Sequence, residues 1–319
     1  MHLTRKAVRG GTYEAALPTI NGPVSIRDQF LVADWQRAQA NCKRPVKITM
    51  PGPMTISDTN HDDYYHDPKA LGRDIADALN VEVLALADAG CIHIQIDEPL
   101  FARKPEAALD YGFENLERAF HGCPKSVQRT VHMCCGYPDK LDRDDYPKAD
   151  PDSYLQIADA IEYSSIDAVS FEDAHRHNDL SLLEHLPTTT VIFGVVAIAK
   201  SQVEDVDDIR QRLSLALNHI DAERLIAAPD CGLGLLGREL AMAKLKNMCS
   251  AWPRRSRISS TDSTSLLAIA TTPKITLVVG KRSSSDKSLW RCASSNETAS
   301  ILEYSIASAI CRYESGSAL

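Results

Sequence analysis

Six short runs of β-forming residues recur along the chain, each followed by a turn and then by residues at helical spacing. They are Val46–Met50, Cys91–Ile96, Thr130–Cys134, Ile166–Phe171, Thr190–Val196 and Arg224–Ala228. They alternate little between apolar and polar, as expected of parallel strands buried on both faces. The intervening segments read as helices. Asp67 and Pro68 supply an N-cap and a first-turn proline, and Leu71, Ile75, Leu79, Val83 and Leu86 follow on one stripe until Gly90. Asp150-Pro151 opens a second helix with Leu155, Ala158 and Ile161 on its stripe, and Val206, Ile209, Leu213, Leu217 and Ile220 make a third. Leu180–Leu186 has room for about two turns, and a last helix starts at Arg238. Strand and helix alternating in this way predict an α/β fold with a parallel sheet.

A closed (β/α)₈ barrel needs eight strands. The first 45 residues show no convincing pair to make up the number. The fold expected is a TIM (β/α)₈-type barrel, incomplete at its N-terminus unless the first 45 residues hold strands that their pattern does not show. The expected division is a partly irregular segment over 1–45, a barrel over 46–250, and a disordered or aberrant tail over 251–319 in which about a quarter of the residues are serine.

Charge narrows the function classes. The net charge is −8; the tail holds 9 basic and 5 acidic residues, a balance of +4, which leaves −12 on the body. An acidic body has no basic stripe to neutralise phosphates, so nucleic acid is not the expected partner. No apolar run reaches the roughly 18 residues needed to cross a bilayer, and Met1–Ile20 has no secretory apolar core. Nine scattered cysteines, an odd number, read as reduced thiols and a cytoplasmic setting.

The chemistry gathers at strand ends. In His132-Met133-Cys134 the two flanking residues share a strand face, so imidazole and thiol project together. Glu172 closes the next run, and Cys231 follows the last. In barrels the C-terminal strand ends converge on one side. One imidazole, two thiolates and one carboxylate fill a zinc shell with a formal charge of about −1. A zinc ion so held would turn an incoming thiol into a thiolate near neutral pH. Downstream of Glu172, His175 and His177 are candidate acid–base groups, with solvated loop histidines as the competing reading.

Residues from about Val46 to Cys249 resemble the catalytic barrel of cobalamin-independent methionine synthase, and more closely its short single-barrel relatives. The resemblance rests on Lys47–Pro53, Gln95–Pro99, His132-Met133-Cys134, Pro229–Leu233 and the helix over Leu240–Met248, all in the family's order. It implies zinc ligation by His132, Cys134, Glu172 and Cys231, and substrate contacts from Asp97 and its neighbour Glu98, with Asp97 meeting the amino group. The reaction implied is methyl transfer to a small thiol, homocysteine, to give methionine. Three departures bear on this. No counterpart to the family's two opening strands stands in Met1–Pro45. Val196–Lys200 replaces the segment that carries a proton-donating histidine in the larger synthases. No folate-stacking tryptophan stands near Thr59. The methyl donor is therefore left open between a methyl-folate and a methyl-corrinoid. The competing function classes are a truncated zinc-binding member without turnover and a zinc alkyltransferase acting on another thiol.

Overall fold

A computed structural model describes residues 3–8, 13–26, 29–136, 140–143, 146, 148–251 and the backbone of 278–279. The tail expected over 251–319 lies, apart from Ala251 and that backbone pair, outside the described residues.

The chain opens with β1 (Leu3–Val8) and β2 (Tyr13–Ile20), then α1 (Leu31–Ala40), β3 (Lys47–Pro51), α2 (Pro53–Asp58) and the two-residue β4 (His61–Asp62). Next come α3 (Pro68–Asp88), β5 (His93–Asp97), α4 (Pro99–Arg103), the single turn α5 (Pro105–Ala107), a π-helical turn over Ala108–Gly112, α6 (Phe113–Ala119) and β6 (Gln128–Met133). The rest is α7 (Ser153–Glu162), β7 (Ala168–Phe171), a 3₁₀ turn over Leu180–His185, β8 (Thr190–Val196), α8 (Val206–Ala216), β9 (Leu225–Pro229), α9 (Arg238–Ala251) and β10 (Val278–Val279).

The six expected strands are β3, β5, β6, β7, β8 and β9, hydrogen-bonded in that order and all parallel. Val278 and Val279 add a short parallel pair outside β3 at Lys47 and Ile48. Among the described residues the sheet does not close on itself: β9 pairs with β8 alone. The architecture is α/β, with the strand–helix succession of a barrel.

The first 45 residues do contain a strand pair, β1 with β2, antiparallel from Leu3–Pro18 to Val8–Tyr13. It does not supply the barrel's missing strands, because β2 pairs onward with β4 in a separate three-stranded sheet. Charged and small residues, rather than an apolar run, fill these strands, so they carry little sequence signal. Within 29–45 the regular element is α1. Leu31, Trp35 and Ala38 of α1 lie in the main core, and Trp35 donates its indole N–H to the carbonyl of Val46 at 3.0 Å.

The sheet's two faces differ in chemistry. Ile48, Met50, Ile94, Ile96, Val131, Met133, Val169, Phe171, Val191 and Phe193 join the helices in the main core. The opposite face carries Lys47, Gln95, Thr130, His132 and Ser170, all buried, and a small apolar cluster of Ala168, Ile192, Ile226 and Ala228. Helix starts follow the sequence closely. Asp67 accepts from the Lys69 N–H ahead of α3, and Gly90 ends that helix with a φ of 96°. In α7 the buried stripe runs through Tyr154, Ile157, Ala158 and Ile161, whereas Leu155 is 44% exposed. The helix starts two residues later than Pro151, at Ser153, after a turn in which Asp150 accepts from the Asp152 N–H at 2.8 Å.

Candidate metal centre

His132 lies on β6 and Cys134 just past its end; Glu172 directly follows β7, and Cys231 follows β9. Their ligand atoms all lie within 4.8 Å of one another. His132, Cys134 and Glu172 are buried and Cys231 is half-buried. Among the described residues this is the group of imidazole, thiol and carboxylate that could hold a metal ion.

Hydrogen bonds orient the donors and leave their ligating atoms open. His132 Nδ1 is 2.9 Å from Ser170 Oγ, which leaves Nε2 facing the cluster, buried and without a hydrogen-bond partner. For Nε2 to ligate, Nδ1 carries the proton and donates to the serine. Glu172 accepts the Cys135 N–H at 2.7 Å through Oε2, while its Oε1 is buried and unpartnered. Two orphaned buried acceptors aimed into one cluster are unfavourable unless something occupies the space between them. A cation does so.

Electrostatics point the same way. The Cys134 thiol is held well above the usual cysteine range, first by its hydrogen bond to Cys231 and then by burial. Glu172 is pushed well above the usual carboxylate range by burial, then by Cys134 and Asp230. His132 is pushed down to about 3 by burial and by the charge of Lys47. Without a cation these donors are held neutral. A divalent ion would reverse the preference of the thiols and the carboxyl, releasing protons as it bound.

The comparisons with known proteins decide the family. Residues 9–252 match the model described as "Cobalamin-independent synthase, Catalytic domain". The chain belongs to this family. Methionine synthases of Pyrococcus abyssi and Thermococcus kodakarensis are each 29% identical to it, over 71% and 70% of this chain and 60% and 61% of theirs. The chain thus spans about 60% of the length of these curated relatives. A B12-independent methionine synthase from Shewanella sp. W3-18-1, solved in complex with selenomethionine, superposes with a TM-score of 0.71 at 30% identity, covering 78% of this chain and 73% of that one. A putative vitamin-B12 independent methionine synthase from Listeria monocytogenes, 18% identical with a TM-score of 0.57 over 74% of this chain and 73% of its own, shares the fold.

In this synthase-family chain the remaining expected residues separate into distinct surroundings. Asp97 ends β5 in register with His132 and is half-buried. Glu98 turns the other way. It is fully buried and accepts from Met54 N at 2.8 Å, Thr55 N at 3.0 Å and Thr55 Oγ1 at 2.7 Å, capping α2. These contacts engage both its oxygens. The His175 side chain is buried, with Nδ1 2.6 Å from Asp230 Oδ2 and an unpartnered Nε2 that lies 3.6 Å from Glu172 Oε2. His177 is exposed, sits at a φ of 55°, and closes a turn through its N–H to Asp173 O at 2.8 Å. Of the two histidines, His175 is the one whose ring is buried beside Glu172.

Two residues at the site carried no sequence signal of their role. Asp230 accepts from the N–H groups of Asp173, Ala174 and His175 as well as from the His175 ring. Lys47 is buried on the donor-bearing face, bonded to Gln95. Both lie inside motifs that the resemblance uses, but their partners are about 50 residues away along the chain.

Proposed function

We propose that this family member transfers a methyl group to the sulfur of homocysteine, with a zinc ion held by His132, Cys134, Glu172 and Cys231. The observation that carries the reading is the gathering of those four ligand atoms within 4.8 Å, two of them buried and otherwise unpartnered. Two thiols with an imidazole and a carboxylate suit zinc and poorly suit magnesium or calcium, which take oxygen ligands. Bound there, zinc would supply the means to make the substrate sulfur a thiolate at neutral pH. The relatives named methionine synthase support the reaction class, and the Shewanella relative holds selenomethionine, the selenium analogue of the proposed product.

The chain's own residues would do the rest. Asp97, half-buried beside His132, takes the ammonium group of the amino acid. Asp230 holds His175 with Nε2 turned toward Glu172, where it can take the proton that the thiol loses. The donor–methyl bond breaks as the sulfur–methyl bond forms. The donor is a methyl-folate or a methyl-corrinoid. A cytoplasmic setting fits ligands that must stay reduced, and no described helix is long and apolar enough to cross a membrane.

The test is transfer of a labelled methyl group to homocysteine by zinc-loaded protein, with methyltetrahydrofolate and methylcobalamin as separate donors. Labelled methionine from either supports the reading. Bound zinc with no product from either would establish the second reading, a zinc-binding member without turnover. The sheet that stays open among the described residues favours that alternative. For the site itself, Cys231→Ser should lower zinc affinity sharply, and an unchanged stoichiometry at limiting zinc would remove the assignment.

A further inference from the structure

Lys47 is a lysine with no evident reason to be buried. It lies near the start of β3, 4% exposed, and its ammonium donates to Gln95 Oε1, which is itself on a residue 3% exposed. An ammonium in such a place is expensive unless something requires it. Gln95 passes the contact on: its Nε2 donates to Asp97 Oδ1 at 2.6 Å. Three side chains on neighbouring strands thus form a line from the buried body of the sheet to its donor-bearing end.

The direction of that line follows from donor and acceptor chemistry. A glutamine amide can present either its oxygen or its nitrogen to a neighbour. Lysine has three donors and no acceptor, so its partner must be the amide oxygen. That fixes the nitrogen toward Asp97, and a carboxylate accepts there without conflict. Thr49 also bonds the Asp97 carboxylate. With Lys47 replaced by an apolar residue, the amide oxygen loses its partner and only the carboxylate still holds the amide, so the alignment of Nε2 on Asp97 loosens. Electrostatics agree with the geometry. Burial pushes Asp97 up to about 6 and Lys47 down to about 7, and the charge of each opposes the shift of the other.

We propose that Lys47 is a positioning residue for amino-group recognition: through Gln95 it orients the Asp97 carboxylate to receive the substrate's ammonium. The proposal rests on the reading of Asp97 as the ammonium contact. It assigns Lys47 and Gln95 a role in selecting thiols that bear an amino group over thiols that do not.

The experiment compares two probes on zinc-loaded protein by titration calorimetry: L-homocysteine, and 4-mercaptobutanoic acid, which keeps thiol and carboxylate but lacks the amine. The intact protein should prefer homocysteine by roughly tenfold to a hundredfold, as a charged hydrogen bond allows. Lys47→Met, similar in length and apolar, should reduce the ratio to about twofold or less, as expected when the charged contact is no longer aligned. Gln95→Glu keeps the lysine's partner and reverses the group that faces Asp97, so it should also abolish the preference, and it tests the line even if Lys47→Met fails to fold. Either folded variant keeping the full preference would overturn the relay alone. No preference in the intact protein would overturn the reading of Asp97, and the relay with it.

Discussion

Asp230 commits both carboxylate oxygens to the turn that follows Glu172. Oδ1 accepts from Asp173 N and Ala174 N at 2.9 Å each, and Oδ2 from His175 N at 3.2 Å and its ring at 2.6 Å. Since Cys231 is the next residue, one side chain ties two ligand-bearing loops together. Gly194 makes the approach possible. A methyl group there would stand 2.2 Å from Asp230 Oδ1 and 2.9 Å from both Asp230 Cα and the Phe171 carbonyl oxygen. The two backbone atoms cannot turn aside as a flexible side chain would. Gly194→Ala should therefore destabilise the fold by about 2–3 kcal/mol, the upper part of the range for overpacking. A shift of the urea midpoint would measure it, and a midpoint equal to that of the parent would show that Asp230 has room to move. Asp230→Asn preserves the shape but replaces one accepting oxygen with a donor. Outer partners of ligands typically matter tenfold to a hundredfold in metal affinity, so zinc binding should weaken by roughly that factor. A competition titration with a chromogenic chelator reads this directly; equal affinities would leave Asp230 a role in folding only.

At the scale of elements, two helices are capped from a distance. Phe30 and Gly52 precede α1 and α2 without any side-chain capping bond. Glu82 on α3 instead accepts Phe30 N at 3.1 Å and Leu31 N at 2.6 Å, and Glu98 does the same for α2. Both replace the local Ser, Thr or Asp cap with a carboxylate drawn from about 45 residues or more away. For Glu98 this has a pH signature. Burial pushes its carboxyl from 4.5 up to about 7, against the bonds from Thr55 and Met54. A group whose folded pKa is raised is best accommodated protonated. Its contribution is fully present below about 4.5 and is lost as pH rises through about 7. Glu98→Gln cannot titrate, so stability of the parent relative to this variant should fall between pH 5 and pH 8, by up to about 3 kcal/mol. Urea unfolding at the two pH values checks it, and a pH-independent difference would sink the account. These caps also mark what could be read in the sequence. The strands β3 and β5 to β9 were legible as short β-forming runs set between turns and helical stretches, even though one face carries buried polar residues. The start of α3 was legible because Asp67 and Pro68 are local. The starts of α1 and α2 depend on residues that only the tertiary fold brings near. The four donors were legible as a set because each ends a strand, whereas Asp230, Lys47 and the capping use of Glu98 required knowing which strands are neighbours.

For the whole molecule, the position of the donors in the sheet matters more than their number. His132 lies on β6 and Cys134 just past it, Glu172 follows β7 and Cys231 follows β9, so the cluster reaches across β8 in the order β6-β7-β8-β9. Among the described residues β9 has a single strand partner, and its ladder with β8 carries a register shift between Gly194 and Val196. An ion bonded to Cys231 would add a second tie from this edge strand to the middle of the sheet. Unfolding scatters the four donors, so the ion binds the folded state and stabilises it by mass action. At free zinc about 100 times the dissociation constant this amounts to about 2.7 kcal/mol. For a body of this size, each kcal/mol moves the unfolding temperature by roughly 2–4 °C. Stripping the protein with a chelator should therefore lower Tm by roughly 5–10 °C, and adding zinc back should restore it. Cys231→Ser separates this tie from a general effect of metal on the protein. The variant should melt near the temperature of the stripped parent and respond little to zinc, because the link to β9 is gone while the His132, Cys134 and Glu172 side remains. Equal zinc responses in parent and variant would mean that the ion, wherever it binds, does not join β9 to the rest of the sheet.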